Sequence, residues 1–329
     1  MFAYRMVYEQ SLNLILKAAH LYYNCDVPQV EIAQRLGIST PTVSRLLKKA
    51  REKQIVRFCI QDSYIECIKM EKELKRLLGL DEVIIAPINE DNRNDPEKIK
   101  MSVALEAARY VQRIIREEDI IGVAWGRTMY YLIHFLNPSQ KTNSNFVTLN
   151  GNLAGLNVEL DAHSLVDRIA MAFGGTRHSL FCEALQRDKE TAACLKKKRT
   201  VRDVYEQYNH ITISISGIGS LYPRLDSPLA QIQYLSKEEL EILRQANVYG
   251  DLMLRFFDYE GNECKTPLSD RTIAIDFETY RKIPTKIIAA SGAFKSETLF
   301  AALKGRLIDV LIIDKALANA LYSRALQSA

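Results

Sequence analysis

The sequence of 329 residues predicts an N-terminal helix-turn-helix domain followed by a doubly wound α/β domain. Three observations lead to this prediction. Residues 28–57 combine a glycine turn with a basic amphipathic helix, the chain beyond them alternates apolar runs with helical stretches, and the net charge is unevenly distributed. We expect domains of residues 1–61 and 62–329.

The positive charge of the chain is concentrated at its N-terminal end. Residues 1–61 contain nine Lys or Arg and four Asp or Glu, whereas the other 268 residues contain 35 and 36. The formal net charge of +4 therefore comes from the first segment. Such a surplus favours a surface that faces nucleic-acid phosphates, and the near-neutral remainder needs a different kind of partner.

The first domain is predicted to contain helices over residues 6–24, 28–36 and 40–53, followed by a short strand over Ile55–Ile60. Gly37 permits a positive φ at the turn between the last two helices. Ser39 is a suitable N-cap for the helix over residues 40–53, and Pro41 lies in the first turn of that helix.

The second helix of the motif has one apolar face and one polar, basic face. Its apolar positions follow i, i+3, i+4, i+7 spacing: Val43, Leu46, Leu47 and Ala50. We expect Thr42, Ser44 and Arg45 to reach base edges of operator DNA in the major groove. Lys48, Lys49 and Arg51 are expected to contact mostly the phosphates. The complete set of predicted DNA-binding residues is Ser39, Thr40, Thr42, Ser44, Arg45, Lys48 and Lys49. An ordinary surface helix with solvated charges is the alternative, but turn, cap, apolar stripe and basic face all agree.

An amphipathic helix over Tyr64–Leu78 is predicted to link the domains and to pack against a second subunit. Beyond it the pattern alternates strands and helices, which indicates a mostly parallel α/β sheet. The predicted strands are Val83–Ala86, Ile120–Ala124, Phe146–Leu149, Ile211–Ser216, Ile287–Ala290 and Val310–Ile313, and the helices are Glu97–Glu117, Ala162–Ala172 and 296–304.

The six cysteines are scattered without C-x-x-C spacing, which argues against a zinc site and a disulfide framework. The N-terminus lacks the apolar run of a signal peptide, and no apolar segment approaches the ~20 residues of a membrane helix. We therefore expect a soluble cytoplasmic protein without a metal or cofactor.

Glycine-bearing turns follow several predicted strands, where parallel α/β sheets bind ligands. One such turn runs from Gly122 to Thr128, where Gly126 lets the backbone approach a ligand and the helix start attracts an anion. The others contain Gly217 and Gly219, Gly292 with Lys295, and Asn150 with Gly151. A single turn of this kind is more often structural. Together they predict a phosphorylated small molecule as ligand.

The chain resembles the SorC family of sugar-responsive bacterial transcription regulators over nearly its whole length. The segments that carry the resemblance are GISTPTVSRLLKKAREKQIVR (37–57), GVAWGRT (122–128), LNGNLA (149–154), GIG (217–219), GDLMLRFFD (250–258), SGAFK (291–295) and ALKGRLIDVLIID (302–314). The family implies an effector domain similar to ribose-5-phosphate isomerase and glucosamine-6-phosphate deaminase. We also expect a homodimer or homotetramer, which would place two recognition helices on successive major-groove faces of a pseudo-palindrome.

On this resemblance, the Trp125–Thr128 loop and Lys295 would hold the phosphate of a sugar effector. Asn150, Gly217, Asp251 and Asp276 would line its sugar end. The complete predicted effector set is Gly122, Trp125, Gly126, Arg127, Thr128, Asn150, Gly151, Gly217, Gly219, Asp251, Asp276, Gly292 and Lys295.

The chain departs from the family pattern at three places, so the identity of the effector cannot be carried over. Ser291 replaces the first glycine of the G-G-x-x-K turn, LFCEA (180–184) replaces a proline-rich segment, and NVY (247–249) replaces small residues.

Two other functions compete with a ligand-controlled regulator. The first is a sugar-phosphate isomerase or deaminase with an added DNA-binding domain, for which Asp251, Asp276, Glu278 and Asp314 are candidate bases. Structural carboxylates and helix caps explain these four residues equally well, so no catalytic residue is predicted. The second is a purely architectural or sigma-factor-like DNA binder, which leaves the α/β domain unexplained. The sequence leaves open the sugar, the operator and whether the protein represses or activates.

Overall fold

The computed structural model describes residues 12–58, 62–88, 92, 94–153, 158–227, 229 and 234–328. Contacts divide the chain into one unit that ends at Asp62 and a second that begins at Ser63. The first unit contains three described helices, α1 (Leu12–Tyr23), α2 (Gln29–Leu36) and α3 (Thr40–Glu52). The predicted start of the first helix, at residues 6–11, lies outside the described residues.

The three helices enclose a small apolar core. Its buried members are Ile15, Ala18, Ala19, Val27, Ile32, Ala33, Val43, Leu46, Leu47 and Ala50. The apolar stripe predicted for α3 is therefore the face that packs against α1 and α2. Gly37 ends α2 with a φ of +64°, which confirms the left-handed turn. Ser39 occupies the N-cap of α3, but its hydroxyl lies 2.8 Å from that of Thr42 and caps no backbone N–H.

The strand predicted over Ile55–Ile60 is wrong for its described part. Residues 53–58 form turns, bends and irregular backbone, and residues 59 and 60 lie outside the described residues. The Ile55 and Val56 side chains pack against the core of the three helices. Their apolar character therefore reflects packing on the helices, because the described part of this unit offers no strand for pairing.

The boundary between the units falls at the first residue of α4 (Asp62–Leu78), and the second unit is built around a seven-stranded sheet. The strands of this sheet are β1 (Glu82–Ala86), β2 (Ile120–Val123), β3 (Asn145–Thr148), β4 (Thr176–His178), β5 (Ile213–Ser216), β9 (Thr285–Ala290) and β10 (Val310–Asp314). Their order is β1-β10-β9-β5-β2-β3-β4, and every pair is parallel. The predicted doubly wound α/β sheet is confirmed.

The helices of this unit cover both faces of the sheet. They are α5 (Pro96–Ile114), α6 (Arg127–His134), α7 (Ala162–Phe173), α8 (Lys189–Lys197), α9 (Arg199–Tyr208), α10 (Lys237–Gln245), α11 (Pro267–Asp270), α12 (Phe277–Arg281), α13 (Ser296–Lys304) and α14 (Lys315–Ser328). Within β10, Val310 and Ile312 face α5, α6 and α7, whereas Leu311 and Ile313 face a core shared with α4, α9, α13 and α14. This alternation buries a central strand on both sides, as its continuous apolar sequence requires.

A small antiparallel sheet beside the carboxyl ends of the central strands was not predicted. It consists of β6 (Gly219–Ser220), β7 (Gly250–Leu252) and β8 (Arg255–Phe257). Gly219 pairs with Asp251 in this sheet, so the glycine turn after β5 and the Gly-Asp segment are neighbours. A Cβ on Gly219 would lie against the Asp251 carboxylate, so only glycine fits at this approach.

Candidate functional site

A cavity of about 470 Å³ lies at the carboxyl ends of the central strands β2 and β5. It is the place where a parallel α/β sheet presents loops and helix starts to a ligand. Its lining residues are Lys100, Ala124, Trp125, Gly126, Arg127, Thr128, Met129, Ser216, Gly217, Ile218, Gly219, Leu225, Asp226, Ser227, Asp251, Met253 and Lys295.

The loop between β2 and α6 forms one wall of the cavity. Gly126 is the N-cap of α6 with a φ of +126°, a conformation that side chains with a Cβ rarely adopt. Open space lies where its Cβ would be, so the backbone itself faces the cavity. The first backbone N–H groups of α6 have no acceptor within the helix, which makes this wall attractive to an anion.

Lys295 provides a cation on the opposite wall, just before α13. Only 13% of its side chain is exposed, and its ammonium donates to the carbonyl of Ile218 at 2.8 Å. The same ammonium lies 3.3 Å from a carboxylate oxygen of Asp226. Burial lowers the pKa of Lys295, and the neighbouring Asp226 opposes that shift.

Asp251 contributes a buried carboxyl group to the cavity. It is 4% exposed, and the hydroxyl of Ser227 donates to it at 2.9 Å. Burial raises the pKa of Asp251 to about 6, although the hydrogen bond from Ser227 and the charge of Lys295 act in the opposite direction. The cavity thus combines an ammonium group with a carboxyl group that changes its charge near neutral pH.

This pKa leads to a prediction for the stability of Asp251→Asn. The folded carboxyl holds a proton to about pH 6, whereas its ordinary pKa is 3.8. The contribution of Asp251 is therefore complete below pH 3.8 and is lost as the pH rises through about 6. We expect Asp251→Asn to gain up to about 3 kcal/mol relative to the wild type across this window. Tm measured for both proteins from pH 3.5 to 8 tests this, and parallel pH profiles would contradict it.

Two further cations at the cavity share one acidic partner. Lys100 and Arg127 lie 3.1 and 3.4 Å from the carboxylate of Glu97, and the hydroxyl of Tyr131 donates to it at 2.8 Å. Burial alone would raise the pKa of Glu97, but the hydrogen bonds from Tyr131 and Lys100 hold it below its ordinary value. This network fixes Lys100 and Arg127 at the cavity rim.

Eight of the predicted effector residues line this one cavity, although they come from distant parts of the sequence. They are Trp125, Gly126, Arg127, Thr128, Gly217, Gly219, Asp251 and Lys295.

The other five predicted residues are absent from the lining of this cavity, and close packing or a hydrogen bond accounts for three of them. A Cβ on Gly122 would lie 2.5 Å from the Leu149 side chain, and one on Gly151 would lie 2.5 Å from the carbonyl of Cys182. The backbone N–H of Gly292 donates to Asp314 at 2.7 Å.

Asp276 and Asn150 are the remaining two. Asp276 caps α12 by accepting from the N–H of Thr279 at 2.8 Å. Asn150 is fully buried and donates to the carbonyl of Gly151, while its side-chain oxygen has no hydrogen-bond partner among the described residues.

The polar lining residues outside the glycine turns were not predicted, because no local pattern marks them. Lys100 lies on α5, and Asp226 and Ser227 lie in a loop after β6. Ser216 also lines the cavity and was not predicted. It lies at the end of β5, directly before Gly217, and this position in a glycine turn was the signal that could have predicted it.

The helix α3 presents the predicted DNA-binding residues on the side away from its buried stripe. Ser39, Ser44, Arg45 and Lys48 are exposed, and Thr40, Thr42 and Lys49 are half-buried. Lys48 lies 3.9 Å from Glu52, an exposed pair that water screens strongly. The face therefore offers hydroxyls and cations to solvent.

Two other kinds of site have no candidate among the described residues. Within the described ranges, the acidic, histidine and cysteine side chains form no group that could hold a metal ion. None of the described helices is both long and apolar enough to cross a membrane.

The comparisons with known proteins place this architecture in a family. A family described as "Putative sugar-binding domain" matches residues 62–323. The deoxyribonucleoside regulator of Bacillus subtilis (strain 168) is 31% identical over 313 residues, covering 94% of this chain and 97% of that protein. The structure of the full-length sorbitol operon regulator SorC from Klebsiella pneumoniae matches with a TM-score of 0.75 and 28% identity, over 95% of this chain and 99% of that one. This chain belongs to the SorC family.

Membership in the SorC family extends to both units. The sorbitol operon regulator of Klebsiella pneumoniae is also 29% identical in sequence over 94% of this chain and 98% of its own length. Residues 20–53 match a family described as Sigma-70, region 4, which coincides with the helix-turn-helix of this SorC-family chain. Both relatives are regulators.

Proposed function

We propose that this protein is a transcription regulator whose helix-turn-helix binds operator DNA and whose cavity binds a phosphorylated sugar that controls this binding. The observation that carries the proposal is the cavity itself. It brings the helix start at Gly126 and the ammonium of Lys295 into one space with the polar groups of Asp251 and Ser216. A phosphate fits the first pair and sugar hydroxyls fit the second.

The names of two relatives support the same class of ligand. One relative is a regulator named for deoxyribonucleosides and another is named for a sorbitol operon. A chain in this family with a cation in its cavity is therefore proposed to respond to a small polyhydroxylated molecule that carries an anionic group.

The enzyme hypothesis is less well supported because its candidate bases have other roles. Asp276 caps α12, Asp314 accepts the N–H groups of Ala316 and Leu317, and Glu278 is an exposed partner of Lys282. Only Asp251 of the four lies at the cavity, and one of its oxygens already accepts from Ser227. Sugar-phosphate isomerisation assays on the purified protein would reveal such an activity.

In our proposal the protein acts as a homodimer or homotetramer. Two recognition helices would then contact successive major-groove faces of a pseudo-palindromic operator. The ligand controls DNA binding only if it has different affinities for the conformations that do and do not fit the operator.

The proposal is tested with an operator selected from a randomised DNA library by the purified protein. Fluorescence anisotropy of this DNA is measured against a panel of sugar phosphates and the corresponding free sugars. We expect one phosphorylated sugar to change the operator affinity while its free sugar does not. A response to a free sugar or polyol alone would remove the phosphate from the proposal but leave the regulator. Equal binding of selected and scrambled DNA would overturn sequence-specific recognition.

Arg45 is the residue of α3 expected to contribute most to base recognition. Arg45→Ala should cost about 1–3 kcal/mol on the selected operator and relax the preference at one base pair. The matched variant Lys48→Ala should weaken selected and scrambled DNA alike and lower the salt dependence of binding. Anisotropy on operators with single base-pair changes distinguishes the two. If Arg45→Ala weakened every sequence equally, Arg45 would be a phosphate contact.

A further inference from the structure

One side of the cavity is formed by residues 221–227, which we call the strap. The strap contacts the cavity walls at three side chains. The guanidinium of Arg224 lies 4.8 Å from the centre of the Phe294 ring, next to Lys295 in sequence. Asp226 pairs with the ammonium of Lys295 at 3.3 Å, and Ser227 donates to Asp251 at 2.9 Å. Two adjacent residues of the strap therefore provide partners for both buried ionisable groups of the cavity.

The Asp226–Lys295 pair is asymmetric. The Lys295 side chain is 13% exposed and is held by the carbonyl of Ile218, whereas 48% of the Asp226 side chain is exposed. The lysine is thus a fixed part of the wall and the aspartate is the accessible partner. A carboxylate on a cavity lysine occupies the position in which an anionic group of a ligand would be bound.

We propose that Asp226 is a built-in competitor for the anionic group of the ligand, and that a phosphate which binds Lys295 displaces it and releases the strap. This inference rests on the proposed function, since it concerns the same cavity. A neutral sugar leaves the Asp226–Lys295 pair intact, so Asp226 makes the cavity select for a ligand that carries strong negative charge. A phosphate dianion at Lys295 also repels the carboxylate, because like charges at this distance interact unfavourably.

The base of the strap is held by backbone hydrogen bonds. The N–H of Asp226 donates to the carbonyl of Ser220 at 2.8 Å, and the N–H groups of Leu221 and Tyr222 donate to the carbonyl of Tyr249 at 3.0 and 3.1 Å. Loss of the Asp226–Lys295 contact leaves these hydrogen bonds in place. In this proposal, release of the strap therefore means movement of its tip, residues 223–225, with Arg224 leaving Phe294.

The chain carries its own reporter for this experiment. Trp125 is the only tryptophan in the sequence and it lines the cavity. Its fluorescence is titrated with inorganic phosphate in the wild type and in Asp226→Asn, which keeps the shape of the side chain and removes its charge. Asp203→Asn removes an exposed carboxylate that pairs with Arg199 outside the cavity and is the matched control.

We expect Asp226→Asn to bind phosphate roughly three- to tenfold more tightly than the wild type, because the competing charge is gone. Asp203→Asn should behave as the wild type, and Lys295→Met should bind phosphate far more weakly. An unchanged or weaker affinity in Asp226→Asn, with binding still dependent on Lys295, would overturn the competitor and leave the proposed ligand site standing. Phosphate binding that does not depend on Lys295 would overturn both.

Release of the strap is measured separately by limited trypsin digestion. Arg224 is exposed at the tip of the strap, and cleavage after it is followed by mass spectrometry. We expect saturating phosphate to accelerate this cleavage in the wild type. Asp226→Asn should be cleaved rapidly even without phosphate. Equal cleavage rates for all of these samples would show that the strap is not released.

Discussion

Replacing Lys295 by Met is expected to weaken the binding of a phosphorylated sugar by about 2–4 kcal/mol, or roughly 30- to 1000-fold in Kd. The Lys295 side chain is 13% exposed, so its interaction with a phosphate is poorly screened by water. Methionine keeps much of the volume of the side chain and removes the cation together with its hydrogen bond to the carbonyl of Ile218. The response of operator binding to the sugar should disappear, whereas operator binding itself should remain.

Two variants make the Lys295 experiment specific. Lys282→Met removes an exposed lysine that pairs with Glu278, and it should leave the ligand affinity unchanged. Lys295→Arg keeps the charge but changes its position, so it should retain part of the affinity. Isothermal titration with the sugar phosphate found by the operator screen measures all three. A normal ligand response in Lys295→Met would exclude Lys295 from the site.

Arg255→Met is expected to have the largest effect on stability, about 3–5 kcal/mol. Arg255 is 6% exposed and donates to the carbonyls of Ser269, Ala274 and Ile275. It also lies 3.0 Å from the carboxylate of Glu263. The variant leaves these buried acceptors without a donor. Their loss of hydrogen bonding lowers the free energy of unfolding by more than the hydrogen bonds themselves contribute.

Chemical denaturation followed by circular dichroism measures the loss in Arg255→Met. Arg244→Met is the matched control, because Arg244 forms a similar two-point contact with Glu241 on the exposed surface of α10. Water competes for that contact, so little change is expected there. If both variants unfolded at the same denaturant concentration, Arg255 would not have the structural role that its hydrogen bonds indicate.

Local patterns in the sequence were sufficient to predict much of the fold. The positive φ of Gly37 and the buried stripe of α3 follow from residues within a few positions of each other. The central strands were predicted because β-branched apolar runs are buried on both faces. Ile55 and Val56 are also apolar and β-branched, but they pack on helices. The residue types alone do not distinguish a buried strand from a segment that packs on helices.

The small sheet of β6, β7 and β8 could not be predicted because its strands are only two or three residues long. No periodicity is measurable over such lengths. The lack of a local pattern also limits the prediction of the site. The glycine turns located Gly126, Gly217 and Lys295, but Asp226 and Lys100 reach the cavity from segments that lack any local signal. Conversely, Gly122 and Gly151 lie in the same kind of glycine turn, but their lack of a Cβ permits close packing and does not place them at the cavity.

The way in which α4 meets the sheet has a consequence for solubility. β1 is an outer strand of the seven-stranded sheet, and an outer strand exposes backbone groups on which another chain can add a strand. Glu71 of α4 accepts the outward N–H of Ile85 at 2.8 Å, while Leu74 of the same helix is completely buried. The helix therefore occupies one of the backbone donors that this border would offer to another chain. A fragment that began at Gly79 would free this donor and favour self-association at the border.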